Sequence, residues 1–259
     1  MNSLARQYWA LSRRSIITTV RQPTSVVPTL LFPLLFLAMS SAALDRSTAL
    51  PGFPPVNSFM DFVVTTSIIQ GALFGSVAAG SAMATDIEGG FFDRLLATPT
   101  ARTSIIVGRV TGAAAVGFVQ AWLYFAVTSI FGLEVVGGIP AMVMIAVTAA
   151  LVAAGVGSVS VAFALRTGSS EAVQGSFPML FAGLFLSSAF FPRELMDGWF
   201  KAVATVNPLS HMIEGLRHQV IEGISLTDFG IALVVATGIL GFGTTLAGLA
   251  LRARLRAQA

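Results

Sequence analysis

Few residues in this chain carry reactive chemistry, and they gather at breaks between long apolar runs. His211 and His218, with Glu214 and Glu222 nearby, bring imidazole and carboxylate together, the donor types of a zinc site. Ligands on one helical face favour an i, i+4 pair, whereas these histidines stand seven apart and nothing else converges on them. They read as a solvated or interfacial face, and no metal ligand is assigned. There is no Ser-His-Asp order and no glycine loop to cradle phosphate, and the only lysine, Lys201, does not follow a glycine as a nucleotide-binding lysine would. The absence of cysteine excludes disulfides, thiolate catalysis and thiolate metal sites. The chain therefore reads as having no catalytic residue and binding no cofactor. Whatever drives it comes from another polypeptide or from an ion gradient.

The most patterned polar stretch is residues 84–102, A-T-D-I-E-G-G-F-F-D-R-L-L-A-T-P-T-A-R. It carries Asp86, Glu88 and Asp93, a Gly89-Gly90 break, and then Phe91, Phe92, Leu95 and Leu96, with Arg94 among them. The i, i+1, i+4, i+5 recurrence predicts a helix of one to two turns with one apolar face, and Pro99 forbids its continuation. Long apolar spans lie on both sides, so this helix is expected in a loop at a membrane face, with something to dock on.

The surrounding elements follow from composition. Hydrophobic residues make up 55%, charged residues 10%, and the mean hydropathy is +0.82; soluble chains carry about 25% charged residues. This is an integral membrane protein, and 259 residues with no long polar stretch argue for one transmembrane domain, 1–259. The net charge of +3 does not point to nucleic acid, because 14 of the 15 basic residues are arginines scattered between apolar spans, where they act as topology determinants.

Residues 4–22 read as an amphipathic interfacial helix, with Arg6, Arg13, Arg14 and Arg21 on one arc and Tyr8, Trp9, Leu11 and Ile16 opposite. A cleaved signal peptide fits less well, because the leading region is too long and the run from Val26 to Leu44 suffices to span a bilayer. Further spans are expected at 62–84, 106–131, 141–165, 172–191 and 229–251. Small-residue steps such as Gly71-x-x-x-Gly75 and Gly108-x-x-x-Gly112 allow close helix approach. Gln70 and Gln120 are polar residues inside spans, suited to interhelical hydrogen bonds or to a substrate route. Residues 192–227 divide at Asn207-Pro208 into two amphipathic pieces too short to cross, an extracytoplasmic hairpin with Trp199, Phe200, Met212 and Leu216 as candidate gate residues. Lys201, His211, Glu214 and Arg217 are expected at its water side or facing a vestibule. Six spans put both termini on one side. Basic residues then number 11 inside and 4 outside (Arg46, Arg193, Lys201, Arg217), which makes the termini and the Asp86 loop cytoplasmic. Every Asp and Glu falls in or beside a loop, which weakens a gradient-driven carrier.

Asp86, Glu88, Gly90, Asp93, Arg94, Leu95, Leu96, Ala97, Thr98 and Pro99 resemble the cytoplasmic coupling segment of type-2 ATP-binding-cassette (ABC) exporter permeases of the daunorubicin-resistance-like group. Phe190-Phe191-Pro192, Trp199, Asn207-Pro208-Leu209 and Arg217 follow in the order that group shows. The resemblance implies an all-α integral membrane protein with six transmembrane helices, an N-terminal interfacial helix and a re-entrant or interfacial hairpin before the last span. It further implies a permease subunit exporting a drug, lipid or glycolipid from a plasma (bacterial inner) membrane. Its partners would be two copies of an ABC ATPase, which bind ATP and magnesium, a second permease subunit and membrane lipid, with no nucleic acid. A polysaccharide exporter of the same superfamily is the nearest alternative, ahead of a gradient-driven carrier or a non-transporting scaffold.

Overall fold

The structure is a computed structural model and describes residues 3–20, 23–98 and 101–257. Arg21 and Gln22, expected to close the interfacial helix, and Pro99, expected to end the coupling helix, lie outside the described residues. All described secondary structure is helical. In chain order the α-helices are α1 (Ser3–Val20), α2 (Pro23–Leu44), α3 (Phe59–Glu88), α4 (Phe91–Leu96), α5 (Arg102–Ile130), α6 (Gly138–Thr167), α7 (Ser170–Gly175), α8 (Phe177–Phe185), α9 (Gly198–Val206), α10 (Pro208–Ile221) and α11 (Leu226–Ala257).

Five of these are long and apolar enough to cross a membrane: α2, α3, α5, α6 and α11. Within the apolar window of α3, 83% of residues are buried, against 17% for α2 and α11, so α3 is the central post and the other two are peripheral. An apolar helix buried all round is what a position in the middle of a bundle produces. Thirty residues of α3 run about 45 Å, longer than a ~30 Å hydrocarbon core, so its ends stand in the polar zones. Ser58 and Asp61 cap its start reciprocally.

The span expected at 172–191 is not one continuous helix. It is broken into α7, of 6 residues, and α8, of 9, followed by turns. Pro178 in the first turn of α8 offers no N–H to the carbonyl of Gln174, so the hydrogen-bond run of α7 does not continue through it and a new helix starts. The segment still runs along α3. Ser170 bonds to Glu88 at one end of α3, and the Ala189 carbonyl accepts from Thr66 near the other. Those two α3 positions lie about 33 Å apart along the helix.

Helix α1 runs lengthwise beside the start of α5 and in the same direction. Gln7 meets Ala101, Tyr8 meets Thr103, and Leu11 and Ser15 lie over Gly108 and Gly112. A Cβ on Gly108 would come within 2.7 Å of Leu11, so only glycine permits this approach.

Candidate functional site

The site grows out of the end of α3. Glu88 closes that helix, and Gly90 adopts φ 67, a left-handed conformation that suits glycine. The chain turns there and α4 follows at once. Its Phe92 is 1% exposed, in one apolar cluster with Met83, Leu165, Val173 and Leu251. Two guanidinium groups press on α4 from opposite ends of the chain: Arg14 of α1 lies 4.1 Å over the Phe91 ring, and Arg254 of α11 lies 5.7 Å over Phe92. Arg254 also donates to the Leu165 carbonyl at 3.0 Å, which ties α11 to α6.

Two acids next to α4 are spoken for within the chain. Arg14 donates through both terminal nitrogens to Asp86, at 3.0 and 3.1 Å. Arg109 donates to the same carboxylate, and to the Ala82 carbonyl at 3.3 Å. Glu88 accepts from the Ser170 N–H at 2.7 Å and from its hydroxyl, fastening α3 to the first turn of α7. Asp86 therefore joins α1, α3 and α5, and Glu88 joins α3 to the broken segment.

This corrects the expected docking face. Phe91, Phe92, Leu95 and Leu96 do not present one free apolar surface, since Phe92 is in the core, Phe91 lies under Arg14, and Leu95 and Leu96 are only partly exposed beside the same core. Asp93 and Arg94 are exposed, with Glu88 and Ala97 beside them. A six-residue helix has too little apolar area for both purposes, and the bundle takes most of it.

Above the Asp86–Arg109 pair opens a cavity of about 510 Å³. Thr29 of α2, Phe74, Val77 and Ser81 of α3, and Gln174 and Phe177 of the broken segment line it. From Phe74 and Phe177 a file of rings continues toward the other end of the molecule. Phe74 meets Phe177 at 4.6 Å and Phe181 at 5.4 Å; Phe181 meets Phe185, and Phe185 meets Phe190, each at 4.7 Å; Phe190 meets Phe36 at 5.0 Å. The file ends at a second cavity, of about 320 Å³, lined by Phe36, Phe185, Phe190 and Phe200 among others. Phe177, Phe181 and Phe185 recur at i, i+4, i+8 on α8, a stripe legible in the sequence and overlooked there.

The sequence-derived route residues divide. Gln70 is fully buried one turn before Phe74 on α3, and neither of its amide atoms has a partner among the described residues. Gln120 is 2% exposed, donates to the Tyr124 hydroxyl of its own helix at 2.9 Å, and links α5 to α2 by donating to the Thr29 carbonyl at 3.4 Å. Trp199 is 71% exposed and Phe200 lines the second cavity, while Met212 and Leu216 are fully buried in the core.

The division of 192–227 falls at Asn207-Pro208, as expected, giving α9 and α10. Asn207 does more than break the helix. Its amide donates to the Gly183 and Leu186 carbonyls at 2.8 and 3.0 Å, and its oxygen caps α10 at Leu209. Arg217, expected at the water side or facing a vestibule, is not at the water side: it is 4% exposed, at the edge of a cavity that His211 and Glu214 also line. It donates to the carbonyls of Phe62, Ser188 and Ala189 at 2.8 to 3.1 Å and lies 3.5 Å over the Phe62 ring. Breaking the segment at α8 frees carbonyls that no helix satisfies, and these two side chains supply the donors. His211 bonds to the Thr205 carbonyl at 2.8 Å and His218 to Glu222 at 3.2 Å, so they face separate partners.

Residues 6–221 match the family model described as ABC-2 type transporter. The daunorubicin resistance ABC transporter permease protein DrrB1 of Streptomyces coeruleorubidus is 24% identical over 232 residues, 87% of this chain and 79% of that protein. The putative transport permease ycf38 is 28% identical in Porphyra purpurea, over 81% of this chain and 72% of the relative. In Pyropia yezoensis it is 27% identical, over 84% and 75%. With its five apolar helices and a match that runs from α1 through α10, this chain is a membrane protein of the ABC-2 type transporter family.

Proposed function

We propose that the chain is the membrane-spanning subunit of an ATP-driven exporter that carries a hydrophobic or amphiphilic compound, a drug, lipid or glycolipid, out of the cytoplasm. One observation carries the reading: α4 follows directly on the end of α3, whose Asp86 and Glu88 bond to α1, α5 and α7 around the inner cavity, and Arg14 of α1 lies over its Phe91 ring. Two copies of a separate ABC ATPase bind ATP and magnesium and press on α4 through Asp93, Arg94 and the exposed end of the turn. A second permease subunit completes the complex. Displacement of Glu88 pulls Ser170 and swings α7 against α8 at the break before Pro178. Gln174 and Phe177 move with it, and the inner cavity opens onto the phenylalanine file. The apolar part of the cargo passes from ring to ring toward the outer cavity, where α9 and its exposed Trp199 form the gate.

In this scheme α7 and α8 together make a sixth crossing, both termini are cytoplasmic, and the membrane is a bacterial inner membrane. The charge distribution supports that orientation. Under this topology 11 basic residues, Arg14, Arg109 and Arg254 among them, fall at the α4 end and 4, Arg46, Arg193, Lys201 and Arg217, at the other. The test is ATP-dependent uptake of daunorubicin, the drug in the name of the Streptomyces relative, into inverted vesicles holding the chain and its ATPase. Phe177→Ala with Phe181→Ala is expected to abolish uptake while ATP hydrolysis persists. Uptake that continues without the ATPase, or at full rate in the double variant, refutes the scheme.

A further inference from the structure

On the outer side of the α1–α5 pair lies a groove of about 520 Å³ that takes no part in the contacts around α4. Its chemistry changes along its length. Tyr8, Trp9, Ser12 and Arg13 line one end, and Ile16, Ile17 and Val107 line the other, with Thr111 beside them. From Arg13 to Ile17 is about 6 Å of helix, so the apolar end of the groove covers the first part of an acyl chain within the ~15 Å depth of one leaflet's hydrocarbon. The polar end lies on the arginine-rich side of the molecule, level with Arg14 and Asp86. Trp9 is 68% exposed there, and the aromatic-plus-cation pairing is what membrane–water interfaces select. Arg13 is exposed and makes no ion pair among the described residues. The nearby acid, Asp86, is already held by Arg14 and Arg109.

We propose that this groove binds one anionic phospholipid of the inner leaflet. The phosphodiester sits on Arg13, with the Ser12 hydroxyl as a second donor, and one acyl chain lies along Ile16, Ile17 and Val107. A surface in which one end lacks an anion and the other lacks a hydrocarbon partner is complementary to an amphiphile, and neither a free phosphate nor an apolar helix alone satisfies both ends. The lipid also has a mechanical consequence, which rests on the proposed coupling through α4. Arg13 and Arg14 are adjacent in sequence, so a lipid that pins α1 against α5 also holds Arg14 on Asp86 and Phe91.

The full chain is purified with its ATPase in detergent, and bound lipid is measured by native mass spectrometry and titration. The probes are phosphatidylglycerol, phosphatidylcholine and soluble glycerol 3-phosphate. The expected result is one retained phosphatidylglycerol, bound more tightly than phosphatidylcholine. Arg13→Gln is expected to weaken phosphatidylglycerol about fivefold, the effect of one basic residue at an anionic surface, and to leave phosphatidylcholine unchanged. Thr111→Trp, an exposed position that fills the groove, is expected to lower the retention of both lipids with an unchanged unfolding temperature of the lipid-free complex. Equal retention of phosphatidylglycerol by wild type and both variants overturns the proposal. So does equal protection by glycerol 3-phosphate, which would make the site an ion site without a tail. A disulfide between two copies carrying Ile17→Cys would assign the groove to a second chain and overturn it as well.

Discussion

Replacing Arg14 and Arg109 one at a time by glutamine separates two tasks performed on the same carboxylate. Arg109 is 8% exposed and Asp86 18%, so this pair is largely out of water, and removing one member of a buried pair costs about 3–5 kcal/mol. Asp86 keeps Arg14 in that variant, which places Arg109→Gln at the lower end, about 3 kcal/mol. Arg14 is 39% exposed; such an ion pair contributes about 0.2–1 kcal/mol and its contact with Phe91 about 0.5–1 kcal/mol. In thermal unfolding of the detergent-purified complex, Arg109→Gln is expected to lower the midpoint by about 6–12 °C and Arg14→Gln by about 3–6 °C. Transport should rank the other way relative to stability. Arg14 is the contact that joins α1 to α4, and losing about 1.4 kcal/mol of that linkage corresponds to about tenfold in coupling. Arg14→Gln should thus reduce ATP-driven uptake about tenfold while ATP hydrolysis and folding persist. If it melts as low as Arg109→Gln, or transports at the wild-type rate, the division of labour at Asp86 is wrong.

Phe92→Ala is expected to behave as a core cavity, destabilising by about 3–5 kcal/mol, whereas Arg94→Glu should leave the unfolding temperature unchanged and release the ATPase in co-purification. Asn207→Ala strips donors from the Gly183 and Leu186 carbonyls and the cap from Leu209, and should cost about 1–3 kcal/mol in the same unfolding assay. Cysteines placed at Ala49 and Ala97, both exposed, should react with an impermeant thiol reagent in intact cells and only after lysis, respectively; the reverse pattern would invert the topology.

The membrane class, the five long apolar helices, the short helix after Gly89-Gly90 and the break at Asn207-Pro208 were legible in the sequence. Each follows from local rules: run length against bilayer thickness, helical recurrence of apolar residues, and the backbone limits of glycine and proline. Periodicity could not say which side of α4 faces home. A stripe of Phe91, Phe92, Leu95 and Leu96 has the same spacing whether it serves a partner or its own bundle, and only the packing of α6, α7 and α11 around Phe92 decides it. The same limit applied to charge. Arg217 and Lys201 look alike as basic residues outside the apolar spans, yet Arg217 is buried because the chain after the broken α8 leaves carbonyls that need a donor, and those carbonyls, of Ser188 and Ala189, come from 29 and 28 positions away. Partners so distant in the chain leave no local pattern. Gln120 and Asp86 belong to that class too, for each meets its partner only when the small residues of the packed helices bring α1, α2 and α5 together.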